Sequence, residues 1–456
     1  MRPRTICLTV SVLSIASFPL EVRGQRSSRQ DKQAVKRAVE ELGRAAEDVN
    51  VRRFLRNSAV VLESGKRRAV STVLDAYSGL AQELAEQDSG ARLYYLHRKT
   101  AASLARVSGD VALGEWKRLR GRADDWRNRV LLLDAAALND DLDVEPLCLE
   151  ALNDRGPAVT RRALKYLARD KKVSVVEAIV ARYVELEGKY SEDGADGSRT
   201  LLAFRAALQE MFQVDLPAAA DWKNYVASHK NSSDFFEPPA RRASGKTDVT
   251  LFGAAVTGRH IVFVLDVSGS MMSTDPLPPE EARKSKGKTV VRKRQQREVP
   301  ENRRRINRAK RELGRVIKSL PESVKFNFVS YSTSVTPWKG SMVRATSKNK
   351  KAASKFVDRL DAEGITVTDR ALEEAFADLE VDTIYLITDG APTHIGSTGP
   401  GLPDDAAALI DQIHKSVREL NFLRDVRIFC LGFTGAKEEF LIKLAKDNRG
   451  TYVPIR

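Results

Sequence analysis

The chain has 456 residues, 42% of them apolar, with a formal net charge of +15 and an isoelectric point of about 9.6. This is enough apolar material for real cores, and the length allows two or three domains. Three cysteines, Cys7, Cys148 and Cys430, exclude a disulfide framework and a zinc-binding cysteine pattern, while the basic balance favours acidic partners or anionic surfaces.

The N-terminus reads Met1-Arg2-Pro3-Arg4, then a mostly apolar stretch from Ile6 to Leu20, then Val22-Arg23-Gly24-Gln25. A basic start, a short apolar run and a small residue predict a secretory signal over residues 1–24, cut after Gly24. Cys7 would leave with it. An uncleaved anchor is the alternative, although the stretch is shorter than a spanning helix and holds Pro19. No later segment reads as a membrane span.

Residues 28–230 read as helix after helix. Apolar residues recur at helical spacing in Ala34-Val35, Ala38-Val39 and Leu42, and again from Val130 to Leu138. Helices are predicted over Val144–Leu152, over Ala158–Ala168 behind Pro157, and over Val173–Leu186; Leu201–Phe212 and Trp222–Val226 extend the series. Two consecutive helix pairs of about thirty residues resemble HEAT-like repeats, which implies a helical solenoid. For residues 28–120 an irregular helical bundle fits as well. Asn231-Ser232-Ser233-Asp234 and Pro238-Pro239 then break the pattern, so a linker is predicted over 231–258, with an edge strand or hairpin at Thr250–Val256. Few apolar residues there could join two cores, and the flanking parts are expected to fold separately.

Ile261-Val262-Phe263-Val264-Leu265 is too short for a helix and reads as a strand buried on both faces. It ends in Asp266-Val267-Ser268-Gly269-Ser270, so one carboxylate and two hydroxyls fall in the turn past its carboxyl end, where open α/β sheets bind ligands. Thr383–Thr388 repeats the design before Asp389-Gly390, and Gly364-Ile365-Thr366 precedes a helical pattern from Asp369. Further strands are predicted at Val324–Tyr331, Val335–Trp338, Arg427–Phe433 and Thr451–Ile455. Helices are predicted at Ile306–Leu320, Lys350–Leu360, Asp369–Leu379, Asp404–Leu420 and Lys437–Lys446. The alternation implies a doubly wound α/β sheet. Converging hard oxygen donors suit Mg²⁺ or Mn²⁺ rather than zinc.

On these residues the segment 259–456 resembles a von Willebrand factor type A domain. The resemblance implies strand order 3-2-1-4-5-6 and a metal-ion-dependent adhesion site formed by Asp266, Ser268, Ser270, Thr366 and Asp389. It implies that the serines, and in one state the threonine, bind the metal directly, with the aspartates acting mainly through water. Neutral hydroxyls leave much of the ion's charge uncompensated, so an Asp or Glu from a protein partner would complete its shell. Two enzymatic patterns fail on the same residues. A haloacid dehalogenase-type phosphatase needs a second carboxylate where Ser268 stands. A serine hydrolase elbow needs Gly-x-Ser-x-Gly, and Ser268 has Asp266 two before it and Ser270 two after. His394 reads as a solvated loop histidine rather than a triad member.

Residues 273–305 depart from the compact family pattern as a basic insertion holding eleven Lys or Arg against five Asp or Glu. Its composition predicts a loop that is either passive or captures an anionic surface or polymer. No aromatic residue is interleaved and no nucleic-acid-binding fold is visible, so nucleic acid is not an expected partner. The resulting expectation is an exported, bacterial-type, non-catalytic binding protein of the periplasm, cell envelope or outside. The alternatives are a metal-assisted hydrolase using the same site, and a scaffold with a structural metal.

Overall fold

The computed structural model describes residues 29–87, 90–120, 122–190, 194–237, 249–275, 301–393 and 403–456. The expected signal, His394 and residues 276–300 of the basic insertion lie outside the described residues.

Among the described residues, eleven α-helices form the N-terminal part: α1 (Arg29–Glu47), α2 (Val51–Leu62), α3 (Arg67–Glu86), α4 (Gly90–Leu104), α5 (Gly109–Leu119), α6 (Trp126–Ala136), α7 (Glu145–Ala151), α8 (Pro157–Leu167), α9 (Val173–Lys189), α10 (Ala195–Phe212) and α11 (Ala219–His229). The even-numbered helices stack in chain order, α2 on α4, α4 on α6, α6 on α8 and α8 on α10, and odd-numbered ones pack behind. One continuous core results, with Phe54, Tyr77, Trp116, Phe204 and Trp222 fully buried. A buried charged pair within it is satisfied: Arg129 grips Asp154 through two bonds of 2.7 and 2.8 Å. Pro157 stands at the start of α8, where its missing N–H costs nothing.

The C-terminal part is a sheet of seven strands: β3 (His260–Asp266), β4 (Lys325–Tyr331), β5 (Val335–Pro337), β6 (Val343–Arg344), β7 (Thr383–Thr388), β8 (Arg427–Phe433) and β9 (Tyr452–Ile455). The order is β5-β4-β3-β7-β8-β9, with β6 also on β4; β5 and β6 run antiparallel and the rest parallel. This is the order the resemblance implied, with β6 as an unforeseen addition. A separate pair, β1 (Thr250–Leu251) with β2 (Ala254–Ala255), forms the hairpin before it. Helices cover both faces: α12 (Arg305–Ser319), α13 (Ser347–Asp358), α14 (Thr368–Ala377), α15 (Pro403–Leu420) and α16 (Glu438–Asp447). Every residue of β3 is buried. Ile261, Phe263 and Leu265 point to the α12 and α13 side, and Val262 and Val264 to the α14, α15 and α16 side. Phe328, Phe263, Tyr385 and Phe429 stack in a row across four strands, with ring centroids 4.9 to 5.6 Å apart. Among the described residues, Cys148 and Cys430 are free and buried.

The linker is narrower than predicted. Phe235 is buried and sits 5.0 Å from the Phe212 ring, so residues through 237 join the helical part. Leu251 and Ala254 join the core of the α/β part. Only 238–248 remains between them, outside the described residues.

The two parts also touch each other away from the linker. The helical part covers the amino ends of the parallel strands. Ser198 Oγ donates to Asp382 Oδ2 at 2.5 Å, just before β7, and the same oxygen accepts from the backbone N–H groups of Arg259 and His260. Arg199 donates to the carbonyl of Leu379, and Arg427 to Gln209. The turn after α15 inserts Phe422 against His97 and Tyr94, at 4.8 and 5.3 Å. Arg161 holds the same turn at Asp425 and at the Leu423 carbonyl.

Burial would raise the Asp425 carboxyl, but Arg449, Arg161 and Arg162 outweigh it and bring it down to about 2. A depressed carboxylate stabilises the fold above its unfolded value and loses that contribution as pH falls through its folded one. Thermal melts should therefore show about 2 kcal/mol lost between pH 4 and 2. Asp425→Asn should be less stable at neutral pH and flatter in that window; an unchanged acid profile would remove Asp425 from the interface account.

Candidate metal centre

Asp266 is the last residue of β3, and Val267 still bonds to Tyr331, so the strand carries the carboxylate to its carboxyl end. Asp266 is fully buried and both oxygens are engaged. Oδ1 accepts from the Ser268 backbone N–H at 2.8 Å, and Oδ2 accepts from Thr388 Oγ1 at 2.6 Å. Burial pushes this carboxyl up to about 6, against the hydrogen bonds from Ser268 and Thr388 that lower it. The turn after Ser268 is a short 3₁₀ segment, Gly269–Met272, which swings Ser270 back so that the two serine hydroxyls lie 3.1 Å apart. Ser270 Oγ then donates to Asp389 Oδ1 at 2.6 Å, on the loop after β7. Because β3 and β7 are adjacent parallel strands, these loops leave the sheet side by side at its switch point.

Thr366 arrives from the loop before α14. Gly364, at φ +80°, lets the chain turn there, and its carbonyl accepts from the Gly269 N–H at 3.0 Å. Thr366 is pinned by a two-way exchange with Thr393: its N–H donates to the Thr393 hydroxyl, and its carbonyl accepts the Thr393 N–H, both at 2.8 Å. A Cβ on Gly390 would lie 3.3 Å from Thr366 Oγ1 and 3.8 Å from Ser270 Oγ. Glycine there lets both hydroxyls stand beside the backbone. The structure thus places Asp266, Ser268, Ser270, Thr366 and Asp389 on three adjoining loops. Asp266, Ser268, Thr366 and Asp389 are buried, and Ser270 is exposed.

The donor set fits a hard divalent cation. It supplies hydroxyl and carboxylate oxygens, with Asp266 braced by its own hydrogen bonds to act one shell out. Among the described residues no three His, Cys, Asp or Glu side chains gather as a metal site. A cation held by these loops would depend on the hydroxyls.

Sequence reasoning missed the site's own positive charge. Arg305, at the first position of α12, donates to Asp389 Oδ2 at 2.6 Å and to Asp275 Oδ1 at 3.0 Å. Asp275 is buried and also takes Arg308, which reaches on to the carbonyl of Arg456. The ends of the basic insertion are closed on each other by the pairing of Thr274 with Arg304, and by the Arg305 N–H donating to the Ser273 carbonyl at 3.0 Å. Within the run Arg303-Arg304-Arg305 nothing local distinguishes the residue that turns inward. Its signal is its place at the last residue of the insertion, where the helix begins.

A family model described as von Willebrand factor type A domain matches residues 301–453, a stretch that includes Thr366 and Asp389 and begins after Ser270. Inter-alpha-trypsin inhibitor heavy chain H4 of Homo sapiens is 28% identical over 211 residues, covering 43% of this chain and 18% of the relative. Von Willebrand factor A domain-containing protein 3A of Homo sapiens is 30% identical over 130 residues, covering 28% of this chain and 10% of the relative. The chain therefore spans less than a fifth of the length of these relatives. Among solved structures, a von Willebrand factor type A protein from Catenulispora acidiphila is 22% identical, with a TM-score of 0.30, covering 43% of this chain and 38% of that one. The PilB minor pilin from Streptococcus sanguinis is 16% identical, with a TM-score of 0.30, covering 43% and 56%.

Proposed function

Since its C-terminal part is a von Willebrand factor type A domain, we propose that this protein binds a protein partner through a Mg²⁺ or Mn²⁺ ion held by Asp266, Ser268, Ser270, Thr366 and Asp389. The observation that carries the reading is the hydrogen-bonded line from Asp266 through Ser268 and Ser270 to Asp389, with the Thr366 hydroxyl beside it. Ser270, the exposed member, faces the side from which a partner's Asp or Glu would complete the ion's shell.

Binding rather than catalysis is the favoured role. The Ser268 hydroxyl pairs with Ser270, and Asp266 and Asp389 are both occupied in holding the loops. The basic insertion leaves from the rim of the same site at Asp275 and returns at Arg303, so it would bring an acidic or polyanionic surface toward the ion. An exported protein fits the basic, apolar N-terminus. No described helix is long and apolar enough to cross a membrane. The test is adhesion of the purified protein to envelope preparations in Mg²⁺, in chelator, and with Ser268→Ala/Ser270→Ala. Retention that ignores both chelator and variant would overturn the metal bridge.

Arg305 sets the affinity of this site. Its guanidinium competes with a divalent ion for Asp389, so Arg305→Gln should tighten Mn²⁺ binding by about tenfold, equal to about 1.4 kcal/mol. Calorimetric titration reads this directly. Weaker binding in the variant would show instead that Arg305 positions Asp389 for the metal.

A further inference from the structure

A broad groove lies away from the metal centre, where the helical part meets α15. It has a volume of about 1220 Å³ and is walled by the start of α2, one face of α4 and the last turns of α15. Six cations surround it: Arg52, Arg92, Arg98, Lys99, Lys415 and Arg418, all exposed. Only two carboxylates, Asp48 and Glu419, face them, and Asp48 is already paired with Arg53 at 2.9 Å. Arg52, Lys99, Lys415 and Arg418 make no ion pair among the described residues. The amino end of α2, at Asn50 and Val51, opens on the same space and adds the positive end of its dipole.

Arg92 donates to the Val49 carbonyl on the groove wall at 2.5 Å. Tyr95 is 49% exposed on α4, with the Lys99 ammonium 5.8 Å from its ring centre, and Tyr94 stands beside it under Arg98 at 5.6 Å. Together with Ala91, Ala102 and Val51 these rings give the groove an apolar floor inside a cationic rim.

We propose that this groove docks an acidic peptide segment of a partner protein. Glutamates or aspartates alternating with small or aromatic residues would pair with the rim and cover the floor together. A sulfated sugar chain satisfies the rim alone and leaves the tyrosines uncovered. The proposal needs no metal and stands apart from the adhesion site.

The test uses the full chain and a fluorescein-labelled peptide alternating Glu with Ala and Tyr. Anisotropy is read in chelator so that the metal centre is silent. Lys99→Glu/Lys415→Glu should weaken binding by about tenfold or more, and Tyr95→Ala by about threefold to fivefold. Circular dichroism melts check that these exposed substitutions leave the fold intact. Peptide affinity indifferent to the double charge reversal would overturn the proposal. So would a dextran sulfate fragment that binds more tightly than the peptide and ignores Tyr95→Ala, since that would make the groove a general polyanion surface.

Discussion

Ser268→Ala/Ser270→Ala should reduce Mn²⁺ affinity by about a hundredfold or more in calorimetric titration, with Mg²⁺ following the same order. The two hydroxyls are the central links of the site, 3.1 Å from each other, and Ser270 is 2.6 Å from Asp389. Removing both takes away neutral oxygen donors from the centre and leaves Asp389 held chiefly by Arg305. The fold should survive, because Asp266 keeps Thr388 and the Ser268 backbone N–H as partners. Equal titrations of wild type and variant would move the metal elsewhere or remove it.

The second large effect is expected at Asp382. This fully buried carboxylate accepts from Ser198 of α10 and from the N–H groups of Arg259 and His260 at the start of β3. Asp382→Ala orphans three donors at once, at about 1–3 kcal/mol each when buried, and should cost roughly 3–5 kcal/mol overall. Ser198→Ala removes the contact between the two parts alone and should cost about 1 kcal/mol. Denaturant melts distinguish the two. If Asp382→Ala costs no more than Ser198→Ala, the carboxylate does not organise the strand starts, and the docking rests on Phe422 and Arg161.

Much of the α/β part was legible because its signals are local. Five apolar residues before Asp266 can only be a short buried strand, and a strand fixes where its terminal carboxylate stands. All five helices of this part lie within a few residues of where apolar spacing put them. The docking of the two parts was not legible. Phe422 and Leu423 sit among polar residues between α15 and β8 and read as an ordinary turn, although Phe422 fills a gap against His97 from 325 residues away in the chain. Asp425 looks like any turn aspartate until Arg161, Arg162 and Arg449 surround it. Arg305 was hidden for the opposite reason, as one of many like charges in a run. The early helices α1 to α5 were left open between a solenoid and a bundle because their apolar stripes fit either packing.

The helical part grips the amino ends of β3, β7 and β8, while Asp266, Ser268, Ser270 and Asp389 stand at the opposite ends of the strands. A pull applied between these two faces runs along the strand axes. The load path passes through the covalent backbones of β3 and β7, so such a pull would be met first by the side-chain contacts that dock the helical part at their starts.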